Sequence, residues 1–249
     1  KAAGKVPFAT GGKDAWTLTD WFENLYARNA TVAQYNDLFI RHKVAWTDPT
    51  VKKAMAQYVQ IMTTAGYQAG GSQGVLGTGF VDSIGQVFGK KPVAEMYYEG
   101  GFVGVIATTD VNKDLKPGED LNFFTFPVSD AQYGAPVVGG GDLAVVFKDS
   151  PETRAFMNFL VSADAANAFA KTNSISPNKS VDSKNFTSVL ASNEYKQVAG
   201  ASAFVFDGSD MMPSAMNDFF FSKLQDLIQN PKDVDRIAGE LEKFASTAY

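Results

Sequence analysis

The chain has 249 residues, of which 45% are hydrophobic and 20% charged, and its 22 basic against 27 acidic side chains leave a net charge of −5. That balance suits a folded protein and excludes intrinsic disorder, while the lack of any basic stripe excludes nucleic acid as the expected partner. Cysteine is absent, which removes disulfides, thiol catalysis, thiolate metal sites and a lipid-modified cysteine from within the chain.

The length allows one large domain or two modest ones, and no apolar run reaches the ~18 to 20 residues of a membrane span. Lys1 is not an initiator methionine, so a signal segment is expected to lie upstream or to have been removed. In chain order, Thr17 to Arg28 carries Leu18, Trp21, Phe22, Leu25 and Tyr26 on one stripe after a Thr/Asp cluster suited to capping, which predicts a helix. Asp48 and Pro49 predict an N-cap and first turn for a second helix, whose Val51, Ala54, Met55, Tyr58, Met62 and Ala65 repeat until Gly66.

The stretch AGGSQGVLGTG, residues 69–79, holds five glycines and predicts a loop leading to a short helix over 80–88. Val93 to Tyr98 and Leu121 to Val128 predict strands on either side of the turn-prone VNKDLKPGED. Leu143 to Phe147, apolar throughout, predicts a strand covered on both faces, and Ser150-Pro151 then opens a helix bearing Ala155, Phe156, Phe159 and Leu160. A helix over 164–171 precedes the irregular SISPNKSVD. Two more follow, one after Pro213 with Phe219, Phe220, Leu224, Leu227 and Ile228 on its face, the other after Pro231 with Val234, Ile237, Leu241 and Phe244.

Nothing in the chain spells out catalysis. His42 is the single histidine, and Arg41 and Lys43 beside it predict an exposed surface residue rather than a triad base or zinc ligand. GQVFGKKP has the wrong glycine spacing for a phosphate loop, and Lys91 stands where a magnesium-holding serine or threonine belongs. Gly139 to Gly141 has no GxSxG elbow to serve, and Asp207, Ser209 and Asp210 lack the ligand spacing of an EF-hand. The expectation is no catalytic residue, no metal and no cofactor.

Four segments place aromatic rings, acids and glycine where an element should end: FATGGKDAWTLTDWF, MYYEGGFVG, VVGGGD and FDGSDMMP. The first offers Gly12, Lys13, Asp14 and Trp16, and the second Glu99, Gly100 and Phe102. The third offers Gly140 and Asp142, and the fourth Asp207, Ser209 and Asp210. A pyranose has C–H faces that flat rings cover and hydroxyl edges that carboxylates or basic groups bind, so these ingredients suit a sugar. Each also admits a plain packing or capping role, and a glycosidase using two of the acids is the alternative.

The same blocks, together with DPTVKKAMAQYVQIMTTAGY and SISPNKSV, closely resemble the extracellular solute-binding proteins of carbohydrate ABC transporters, in the branch associated with α-glucosides and oligosaccharides. The resemblance spans nearly the whole chain. It implies an α/β, type II periplasmic-binding-protein-like fold, here the C-terminal lobe (residues 1–138 and 206–249) plus a segment of the N-terminal lobe (139–205), the rest of which is missing. It implies a monomer that binds an oligosaccharide without transforming it and delivers it to ABC permease subunits. The expected location is periplasmic or extracellular, held at the membrane through the transporter or an upstream anchor. Trp16 and Phe102 match positions of stacking aromatics, the second often Trp in the family.

Overall fold

A computed structural model describes residues 2–249, and most of its elements begin where the caps predict. In chain order these are β1 (Phe8–Ala9), α1 (Trp16–Tyr26), α2 (Val32–Phe39), α3 (Pro49–Thr63), α4 (Gly71–Gly77), α5 (Phe80–Phe88), β2 (Met96–Tyr97) and α6 (Phe102–Ile106). There follow β3 (Val137–Gly139), α7 (Pro151–Leu160), α8 (Ala163–Lys171), α9 (Val189–Gly200), β4 (Phe204–Phe206), α10 (Gly208–Met211), α11 (Ser214–Gln229) and α12 (Val234–Ala248). Asp48 caps α3 through the Thr50 N–H at 2.8 Å, and Thr31 and Gln34 close a capping box on α2.

The residues divide into two compact units. The larger takes the chain through Asp114, then Phe126–Gly139 and Ser202–Tyr249; the smaller takes Leu115–Thr125 and Gly140–Ala201. In the larger, α1 packs against α3 and α11 and is buried along almost its whole length, so it serves as the core's central rod. The Phe22 ring lies against Tyr26, Phe39, Trp46 and Phe220, and Met55, Tyr58, Leu224, Leu227, Ile237 and Leu241 complete that core. Two short parallel ladders edge it. β1 pairs with β2, Phe8 opposite Met96, and β3 pairs with β4, Val138 opposite Val205.

The smaller unit has a modest core of Ala166, Ala170, Val181, Phe186 and Ala191 with Tyr195 against it. Its α7 buries no residue, and Phe156 and Phe159 face out.

Several local expectations are corrected. The glycine-rich 69–79 stretch contains α4, because Gly70 at φ 70° turns the chain and Val75 then buries into the core. Only Met96–Tyr97 of the first middle strand is laddered, and 121–128 forms none, with Phe123 and Phe124 exposed. The 143–147 run is not a strand: the smaller unit has no ladder among its described residues, so Leu143 is 81% and Phe147 97% exposed. His42 is not an exposed side chain either. It adopts φ 46°, its Nε2 lies 3.1 Å from Glu242 and its ring stacks on Tyr249.

Candidate functional site

Just before α1 the backbone turns at Ala15, whose φ of 66° is strained for a residue with a Cβ. The expected side-chain cap of α1 is therefore missing. Asp14 instead accepts the Phe80 N–H at 2.7 Å, capping α5 and bringing the start of that helix beside Trp16. The Trp16 ring centroid lies 4.8 Å from Phe80 and 6.3 Å from Phe102, and Phe80 lies 5.9 Å from Phe102. Trp16 is half-buried and Phe102 is 50% exposed, so the three rings form an aromatic wall reaching the surface of the larger unit.

One helical turn after Trp16, Asp20 lies on the same face of α1. Its carboxyl lies close to those of Glu99 and Asp207, which act on its ionisation. Burial pushes Asp20 up to about 7, nearby Asp207 and Asp210 charges add to this, and the hydrogen bond with Glu99 opposes it. Burial raises Glu99 well above the usual carboxylate range, with the Asp20 charge second. Both Glu99 oxygens are buried, and neither has a donor in good geometry.

A further acid supports this group from behind. Glu23, fully buried on α1, accepts the Gly208 N–H at 2.6 Å, the Ser209 N–H at 2.9 Å and the Tyr35 hydroxyl at 2.9 Å. These bonds fix the first turn of α10 against α1. Asp207 caps that turn, accepting from Ser209 N, Ser209 Oγ and Asp210 N. Gly208 permits the close approach, since a Cβ there would collide with the Phe39 ring.

Of the twelve residues singled out in sequence, the larger unit brings Trp16, Glu99, Phe102, Asp207 and Asp210 into this neighbourhood, with Gly100 between the second and third. Lys13 is exposed, and Asp14 is committed to capping α5. Gly12 is buried with its carbonyl held by Gln225, and a Cβ there would strike Val75. Ser209 is buried, its hydroxyl donating to Asp207, so it belongs to the support of the acids and not to an open face. Gly140 and Asp142 lie in the smaller unit and are exposed. Sequence reasoning missed Asp20, Glu23 and Phe80. The first two carried a legible signal, being acids in the middle of an otherwise apolar helical stripe.

No protein-family model matches the chain. It is 30% identical over 231 residues to an osmoprotective compounds-binding protein of Synechocystis sp., covering 90% of this chain and 53% of that protein. It is 29% identical over 238 residues to an alpha-glucosides-binding periplasmic protein of Rhizobium meliloti, covering 94% of this chain and 51% of that protein. The chain thus spans about half the length of the relatives it matches. A chitin oligosaccharide binding protein of known structure superposes with a TM-score of 0.75 at 17% identity, over 99% of this chain and 61% of that one. By sequence the chain is similar to these two binding proteins over nearly its whole length, and it shares the fold of the chitin oligosaccharide binding protein.

Proposed function

We propose that the larger unit provides one wall of a saccharide-binding site and that the parent protein is a receptor handing its sugar to an ABC permease outside the cytoplasm. We assign this unit to the C-terminal lobe of such a receptor and Gly140–Ala201 to part of the other lobe. The observation that carries the reading is the continuity of the Trp16–Phe80–Phe102 wall with the Asp20–Glu99–Asp207 carboxyls. Rings cover the apolar face of a pyranose while the acids take its hydroxyl protons.

The same geometry speaks against a glycosidase. Retaining enzymes hold their two carboxyls about 5 Å apart and inverting ones farther, leaving room for the glycosidic bond or a water. Here Asp20 lies within reach of both Glu99 and Asp207, which leaves no such gap on either side of it.

A micromolar saccharide requires about 8 kcal/mol net, beyond at least ~4 kcal/mol of lost freedom. One aromatic wall and a few hydrogen bonds to charged groups, at about 1 and 2 kcal/mol apiece, supply less. Millimolar affinity is expected of this chain by itself. Saturation-transfer NMR with maltose, trehalose and sucrose reads that range, and Trp16→Ala is expected to weaken binding about tenfold. Silence toward every sugar, or an unchanged Trp16→Ala variant, would remove the basis for this reading.

A further inference from the structure

Glu99 is the anomaly that the sugar wall leaves unexplained. An ionised carboxylate normally enters a protein interior only with donors or a cation to compensate it. Glu99 has both oxygens buried without a well-placed donor, and what faces it is another acid, Asp20. The Gly100 N–H gives partial relief, and the side chains around it give none. Glu23 follows one turn along α1, Asp207 and Asp210 approach from α10 and its cap, and Tyr97 and Tyr98 stand on the β2 side. Arg28, whose charge acts on Tyr98, donates its guanidinium to the carbonyls of Phe126, Pro127 and Pro136. Among the described residues no salt bridge reaches Asp20, Glu23, Glu99, Asp207 or Asp210.

We infer that Asp20 and Glu99 hold one proton between them and act as a joined donor and acceptor for a hydroxyl group of a neutral saccharide, so that ligand affinity depends on that proton being present. The inference rests on the saccharide reading above and adds Asp20 as a specificity-determining residue. Two acceptor-only carboxylates in contact repel; with one proton they make a short O–H···O bond and retain free lone pairs. With the Glu99 oxygens buried, the pair meets a sugar hydroxyl through Asp20, as donor or acceptor, while Trp16, one turn away, covers the ring. The raised value of Asp20, about 7, agrees with a proton retained at neutral pH. The pair titrates as a unit, and its second ionisation is the event that matters.

The sign follows directly. The binding-competent form carries the proton, so affinity is full below the second ionisation and falls above it, by at most about tenfold per pH unit for one proton. A cationic ligand would do the reverse, binding better as the pair ionises.

The test is the dissociation constant of maltose by saturation-transfer NMR at about pH 6 and about pH 9, beside carboxyl ¹³C titration of the ligand-free protein. Wild type is expected to weaken about tenfold or more at the higher pH. Asp20→Asn, whose amide supplies a fixed donor, is expected to bind more weakly at pH 6 and to lose the pH dependence; Glu99→Gln provides the same check of the slope if Asp20→Asn misfolds. A wild-type slope retained in both variants would overturn the inference, as would affinity rising with pH or ordinary independent carboxyl titrations of Asp20 and Glu99. If no sugar binds at any pH, the saccharide reading fails, and the ¹³C titration still decides whether the proton is shared.

Discussion

Glu23 illustrates how one side chain carries a site it does not enter. It lies in the middle of α1 among Leu18, Trp21, Phe22, Leu25 and Tyr26, where burial raises its carboxyl well above the ordinary range. Its donors, the Gly208 and Ser209 N–H groups and the Tyr35 hydroxyl, offset part of that cost and lock Asp207 in place. Glu23→Ala leaves the Gly208 N–H buried and unpaired and opens a cavity, so a stability loss of about 3 kcal/mol is expected, read as a lower urea midpoint. Glu23→Gln keeps one acceptor and should lose less. An unshifted midpoint in Glu23→Ala would mean the clamp contributes nothing. Asp20, by contrast, was legible only as an acid near Trp16; that its partner is Glu99, 79 positions away along the chain, is a tertiary fact that no local spacing encodes.

At the scale of elements, the sequence was readable where caps and period agree. Asp48-Pro49, Ser150-Pro151 and the apolar faces of α11 and α12 gave helices at close to the expected positions. It misled where an element depends on distant neighbours. The glycine-rich α4 forms because Val75 finds the core, overriding weak local propensity. The LAVVF run at 143–147 satisfies the pattern of a buried strand but has no strand beside it in the smaller unit. Its side chains consequently contribute little to the stability of this chain. Phe147→Ser is expected to shift thermal unfolding by less than about 0.5 kcal/mol equivalent while lowering the binding of a hydrophobic dye. A large destabilisation would show that the run is packed in solution.

For the whole molecule, the acids impose an unusual pH profile. Asp20 rises from 3.8 to about 7 on folding, so between about pH 4 and 7 the native state holds a proton that the unfolded chain has released. Its contribution is complete below the unfolded value and is lost as pH rises through about 7; Glu23 and Glu99, also raised, act in the same direction. Surface acids act oppositely. Hydrogen bonds from Lys223 and Arg236 hold Glu240 below its usual range, and that modest contribution disappears in strong acid. The melting temperature is thus expected to peak near pH 5 and to fall toward pH 8, by an amount equivalent to about 2–4 kcal/mol, and Asp20→Asn should flatten the decline. A melting temperature that climbs steadily from pH 5 to 8 would contradict the assignment.

The placement of the indoles has a practical corollary. Trp21 and Trp46 are sealed in the interior, each under 2% exposed, and Trp16 is the remaining tryptophan of the three, partly open beside Phe102. Intrinsic emission from the core pair is a constant background, whereas the colour and quenching of the third report on whatever settles against its face. The protein carries its own optical probe, at the spot where a guest would be felt first.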